Sequence, residues 1–194
     1  MCCRTRPFVT TSLVTTSLRS GEPATARAPG RVVLVGDHTD YTGGLVCAMA
    51  IDRWTTVSLR RSGQVRLRLR SEDEAEALDV SVPIEDASGV TPRWGRYVAG
   101  VAAQLRLEHG VDGDVSTTIP IGSGLSSSAA LEVAAALALG FVGSVVELAS
   151  LCQRAENTST GLPSGILDQL TSAAGVDGHT LLMDCHQRSI MPVP

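Results

Sequence analysis

Apolar and polar residues follow a two-residue period in the first half of this chain and a helical period in most of the second. Over residues 64–70 the alternation is clean. Val65, Leu67 and Leu69 fall on one face against Gln64, Arg66, Arg68 and Arg70 on the other, which predicts a half-exposed antiparallel strand with a solvated arginine row. Ser62-Gly63 marks the hairpin ahead of it. Residues 45–60 are strand-like, 32–35 form a short apolar strand that breaks at Gly36, and 78–84 predict one more strand beyond an acidic loop at 72–76. From Pro92 the period changes. Trp94, Val98, Val101, Ala102 and Leu105 share a helical face, with Gly110 closing the segment. A β-prone run at 115–121 then leads into helices over 128–139, 145–157 and 164–173 and a strand over 180–184. Strands first and helices clustered afterwards predict an α+β fold, a mostly antiparallel sheet with helices packed on one side.

Residues 1–25 hold no period. They are rich in Ser and Thr, carry basic residues and show no acid before Glu22, so they read as a disordered or artefactual extension more readily than as a targeting segment, with the folded domain over 26–194. A net charge of −4 gives no reason to expect nucleic acid or an anionic membrane as partner, and no apolar run approaches a membrane span. The five cysteines (Cys2, Cys3, Cys47, Cys152, Cys185) are scattered and lack metal-site spacing, which fits reduced thiols and a cytoplasmic protein.

One stretch has the composition of an anion site. Residues 119–132 read IPIGSGLSSSAALE, a strand-like run, a Gly/Ser loop and the start of a run of helix formers. Gly122 and Gly124 can take positive φ, the first-turn N–H groups of the helix lack internal partners, and the macrodipole attracts negative charge. The loop Gly122, Ser123, Gly124, Leu125, Ser126, Ser127 and Ser128 is therefore a candidate phosphate cradle, and a serine at the helix start is a candidate Mg²⁺ ligand. The plainer reading, an N-capped loop, is equally available on composition. All 16 basic residues are arginine, so a Walker A loop and the protein-kinase strand lysine, each of which needs lysine, are both excluded.

A second stretch, PGRVVLVGDHTDYTGG at 29–44, places Asp37, His38 and Asp40 at the end of a strand. Such a cluster suits a polyhydroxyl ligand, because each group accepts from or donates to hydroxyls. A solvated turn held by local Asx bonds accounts for the same residues.

These two stretches and AENTSTGLPSGILDQ at 155–169 together resemble the galactokinase branch of the small-molecule (GHMP) kinases, over about residue 25 to the end of the chain. The resemblance implies the ribosomal protein S5 domain 2-like fold of that family's N-terminal domain and an ATP-dependent phosphorylation of galactose to galactose 1-phosphate. It implies Asp168 as the catalytic aspartate and Arg31 as the arginine beside it, and Ser128 and Glu156 as Mg²⁺ ligands. It further implies His38, Asp40 and Gly165 as sugar contacts, Gly122 to Ser127 as the phosphate loop, and Trp94 as an aromatic near the adenine. Asp37 stands where galactokinases typically carry glutamate. The family continues into a C-terminal half with a third glycine-rich motif, whereas this sequence stops at Pro194, so the same resemblance predicts impaired activity for residues 1–194 by themselves. A sugar- and nucleotide-sensing protein without turnover and an inactive fragment are the alternatives.

Overall fold

The structure is a computed structural model that describes residue 18 and residues 22–194. The extension expected over 1–25 lies mostly outside the described residues. Leu18, within it, is buried in the core, and the first strand begins at Ala24, ahead of the expected boundary.

Among the described residues seven strands form one sheet, and its spine is β2 (Leu45–Arg61). Strand β1 (Ala24–Val35) runs antiparallel along one edge of β2, with a register shift between Pro29 and Arg31. The other edge is shared. β5 (Val111–Thr117) pairs with residues 55–61 and β6 (Thr180–Asp184) with residues 45–48. β3 (Arg66–Ser71) and β4 (Leu78–Ser81) extend the sheet beyond β5, and β7 (Ser189–Val193) extends it beyond β6. All pairings are antiparallel except β3 with β5, which is parallel and is reached through a helical crossover.

Helices α1 (Gly95–Gln104), α2 (Ser127–Ala138), α3 (Val145–Thr160) and α4 (Leu167–Ala174) pack on one side. The central one is α2, whose AALEVAAALA run is buried nearly all round. Alanine side chains let it lie against β1 and β2 while touching the other three helices. The core is split between a large cluster under α1, α2 and α3 and a smaller one in which Ile166, Leu167 and Leu170 meet Val46, Ala48, Leu181 and Met183.

Several element limits differ from those expected. Gly110 does not close α1; the chain leaves that helix at Arg106, which takes the left-handed conformation (φ 53°) while Leu107 N–H bonds Ala102 and Arg106 N–H bonds Ala103. Gly110 is required elsewhere, because a Cβ there would collide with the carbonyl of Gln64. β5 stops at Thr117, not at 121, since Pro120 has no N–H and the Thr117 hydroxyl takes up Ile119 N–H. β4 is cut at Ser81 ahead of Pro83, and α4 starts at Leu167, because Ser164 N–H is held by the Asn157 side chain. The arginine row is solvent-facing but not free. Arg68 pairs with Asp112 at 2.7 Å across the parallel strands, and Arg66 pairs with Asp79 on β4.

Candidate active site

The site begins with the irregularity in β1. Gly30 sits where the Leu125 carbonyl comes so close that a Cβ would lie 2.7 Å from it, and Arg31 N–H then donates to that carbonyl at 3.1 Å. The Gly/Ser loop is thereby laid onto β1, and the break in register turns the Arg31 side chain toward it. Arg31 Nη1 donates to Gly124 O at 2.8 Å.

Its other nitrogens reach α4. Arg31 Nε donates to Asp168 Oδ1 at 2.7 Å and Nη2 forms an ion pair with the same oxygen at 2.6 Å, although 137 positions separate the two residues. The second carboxylate oxygen, Oδ2, accepts a short hydrogen bond from the Ser126 hydroxyl. Both partners are only partly exposed, so the pair is stronger than a surface ion pair. Asp168 is thus held at both oxygens, by a cation on one side and a hydroxyl on the other.

The loop itself has the backbone an anion cradle needs. Gly122 (φ 74°) and Gly124 (φ 75°) are left-handed and open on the Cβ side, and Ser126 takes the same region (φ 54°) despite its side chain. Ser126 is the N-cap of α2 but makes no side-chain cap, because its hydroxyl is committed to Asp168. Ser126 is expected in the phosphate loop; its hydroxyl turns away to the carboxylate, and its backbone N–H stays with the loop. Ser123 also turns away, to Pro120 O at 2.6 Å. Ser127 and Ser128 open the helix, hydrogen-bond through their hydroxyls to no other described residue, and line a groove of about 380 Å³. Trp94, Tyr97, Thr55 and Ser71 line the same groove. The Trp94 indole N–H is taken by Glu76 O at 3.1 Å, which fixes the ring and leaves its surface as the wall.

The proposed sugar side gathers around Asp40 and Gly165. A Cβ on Gly165 would lie 1.6 Å from Asp40 Oδ2, so the carboxylate packs directly on backbone and any larger residue there displaces it. Asp40 starts a single 3-10 turn through Thr42 that Gly43 closes in the left-handed region. Asp37 and His38 stand further out, 71% and 79% exposed, with the imidazole 3.7 Å from the carboxylate. Among the described residues the structure gives neither a contact with the Arg31–Asp168 pair.

Glu156 lies on α3, where its Oε2 accepts from Ser164 Oγ at 3.0 Å and from Gln169 Nε2 at 2.8 Å. Oε1 takes no bond from a described residue, and Glu156 shares none with Ser128. No three His, Cys, Asp or Glu side chains gather into a cage among the described residues. Mg²⁺ seldom needs one, because it keeps waters and completes its shell with substrate phosphates, so one carboxylate and one hydroxyl fit it.

Residues 18–61 match the galactokinase galactose-binding signature, and residues 96–176 match the N-terminal domain of the GHMP kinases. The galactokinase of Chloroflexus aurantiacus is 42% identical over 189 residues, and that of Homo sapiens 42% over 182. These alignments cover 90% and 86% of this chain but 47% and 46% of the relatives. The chain belongs to the galactokinase branch of the GHMP kinases. It spans about half the length of the relatives it matches. Among solved structures, Lactococcus lactis galactokinase complexed with galactose superposes with a TM-score of 0.81 at 30% identity, covering 89% of this chain and 47% of that one. Methanococcus jannaschii mevalonate kinase, at 21% identity and a TM-score of 0.70 over 90% of this chain and 56% of its own, shares the GHMP fold. Among the described residues no helix is long and apolar enough to cross a membrane.

The motifs of this GHMP domain pointed to Arg31 and Asp168 but not to Gly30, Tyr97, Glu132 or Gln169. For Glu132 a signal existed, a lone carboxylate in an apolar helical run.

Proposed function

We propose that this chain is the ATP- and sugar-binding half of a galactokinase, an enzyme that transfers the γ-phosphoryl group of ATP to galactose to give galactose 1-phosphate and ADP. The observation that carries the reading is Asp168, bridged by Arg31 to the Gly/Ser loop at the mouth of α2. Phosphoryl transfer depends on alignment and charge neutralisation more than on covalent help, and this constellation supplies both.

The sugar rests against Asp40, Gly165, His38 and Asp37, with its reacting hydroxyl toward Asp168. The nucleotide base lies in the groove beside Trp94 and Tyr97, and its phosphates meet the N–H groups of residues 122–128. The hydroxyl oxygen forms a bond to the γ-phosphorus as the bond to the leaving ADP oxygen breaks, and the hydroxyl proton passes to the Asp168 carboxylate. With Oδ1 held by Arg31 and Oδ2 by Ser126, the Asp168 carboxylate is fixed in place and acts mainly by orienting the hydroxyl. Ser126 releases Oδ2 when the sugar hydroxyl arrives. Ser128 and Glu156 would hold Mg²⁺, which would supply neutralisation of the phosphate charge. Arg31 lies between the aspartate and the loop and stabilises the transferring group from the protein side.

The test is formation of galactose 1-phosphate from ATP and galactose by residues 1–194 placed within a chain of the relatives' full length. Asp168→Asn is expected to lower kcat by about 10²-fold or more while galactose still binds. Turnover unaffected by Asp168→Asn would refute the assignment.

A further inference from the structure

The helix that opens at the phosphate loop carries a carboxylate where its pattern calls for an apolar residue. Glu132 is wholly buried and stands four residues after Ser128, on the same face of α2. The chemistry derived above does not use it. Its Oε2 accepts from Gln169 Nε2 at 3.0 Å, and the same nitrogen donates to Glu156 Oε2 at 2.8 Å. An amide nitrogen has two hydrogens, so Gln169 commits both to carboxyl groups, one on α2 and one on α3. Flipped, the amide would set its oxygen against two carboxyl oxygens, so its orientation is fixed.

Two atoms are left over. Glu132 Oε1 and Gln169 Oε1 are both buried and lack a hydrogen-bond partner, in a fold where such groups are rare. They belong to the two side chains already joined by a hydrogen bond. A proton on Glu132 Oε1, donated to Gln169 Oε1, satisfies both at once and closes an acid–amide ring. We propose that Glu132 locks the Gln169 amide and that the locked amide positions Glu156, making Glu132 and Gln169 positioning residues behind the cation site. The inference rests on the reading of Glu156 given above.

The surroundings agree with it. Burial, and then the charge of Glu156, push the Glu132 carboxyl well above the usual carboxylate range, as the neutral ring requires. The Ser164 hydroxyl shares its one proton between Asn157 Oδ1 at 2.7 Å and the same Glu156 oxygen at 3.0 Å, so Gln169 is the firmer hold on Oε2, with Oε1 left to a ligand. Gln169 also follows Asp168 directly, and locking its side chain fixes the turn of α4 that presents the aspartate.

The test uses the 194-residue chain and three variants. Glu132→Gln keeps a hydrogen-bonded ring, amide to amide, whereas Glu132→Leu and Gln169→Leu keep the volume and remove the bonds. Binding of Mn²⁺·ATP is followed by the Mn²⁺ electron paramagnetic resonance signal, and binding of ATP without metal by calorimetry. The two leucine variants are expected to weaken Mn²⁺·ATP by about 10-fold or more and leave metal-free ATP unchanged. Glu132→Gln is expected to match the unsubstituted chain. Unchanged Mn²⁺·ATP affinity in Gln169→Leu would overturn the proposal, and so would a loss in Glu132→Gln equal to that in Glu132→Leu. Should Glu132→Leu fail to fold, the other two variants decide. An infrared difference spectrum at neutral pH adds an arm free of nucleotide, in which a protonated-carboxyl band is expected to vanish in Glu132→Gln; its absence from the unsubstituted chain overturns the ring. If that chain binds no Mn²⁺·ATP, the cation reading of Glu156 fails, and the infrared band alone decides the Glu132–Gln169 lock.

Discussion

Asp37 is one methylene shorter than the glutamate typical of galactokinases, and in the proposed sugar cluster it stands on the open side with most of its surface in solvent. A shorter carboxylate there leaves a sugar hydroxyl to be met through water. Asp37→Glu, in the full-length context, is therefore expected to sharpen the kcat/KM preference for galactose over its epimers by roughly 1.5–3 kcal/mol, the range for one hydrogen bond to a charged group. Equal ratios in the two proteins would show that this position does not read the sugar. Glu132 gives a prediction of a different kind. Its carboxyl is raised by burial and by Glu156, with the Gln169 amide opposing the shift and Asp168 adding to it. A raised folded-state pKa contributes stability that is complete below the unfolded value, about 4.3, and is lost as pH climbs toward the folded one. Glu132→Gln removes that loss, so its melting temperature is expected to exceed that of the unsubstituted chain at neutral pH, with the gap closing near pH 4. A gap independent of pH would count against a neutral Glu132. Arg31 and Asp168 were legible as single residues because each stands in a motif. The Ser126–Asp168 bond was not, because nothing in a run of three serines says which hydroxyl turns back toward a helix not yet placed.

The second half of the chain declares its elements through the helical period and through caps. Helix α3 opens on a capping box in which Ser144 Oγ accepts Glu147 N–H and the Glu147 carboxylate accepts Ser144 N–H, and Gly161 closes it in the left-handed region. Ser144→Ala is expected to cost about 1 kcal/mol in chemical denaturation, without moving ATP or galactose affinity. Gly165→Ala is a sharper case, because the added Cβ meets the Asp40 carboxylate. It should weaken galactose binding, measured calorimetrically, far more than ATP binding, and equal losses would place Asp40 outside the sugar cluster. Strand limits were less legible than helices. β7 contains Pro192 and the exposed Met191, a composition that only the edge of a sheet tolerates, and the sequence does not mark where the edge falls. The parallel pairing of β3 with β5 was hidden for a related reason, since alternation fixes which face a strand buries but not which neighbour it takes.

At the scale of the molecule, the strand ends nearest the sugar cluster are apolar and open. Leu34 and Val35 on β1, Tyr41, Leu45 on β2 and Met191 on β7 are all exposed, and apolar side chains left uncovered together favour association. Residues 1–194 by themselves are therefore expected to self-associate in light scattering and to turn over galactose far more slowly than the 1–10³ per second of ordinary enzymes. A monodisperse monomer with turnover in that range would contradict both. The α+β class and the single side on which the helices pack followed from the order of the two periods along the chain, whereas the exposed rim did not, because exposure belongs to the assembled surface. The long separation between Arg31 and Asp168 also has a temporal side. A ribosome adding about 5–20 residues per second delivers the aspartate on the order of ten seconds after the arginine. Over that interval the nascent chain gains β1 to β5 around a guanidinium, with no carboxylate to receive that charge and no α4 to cover the strands.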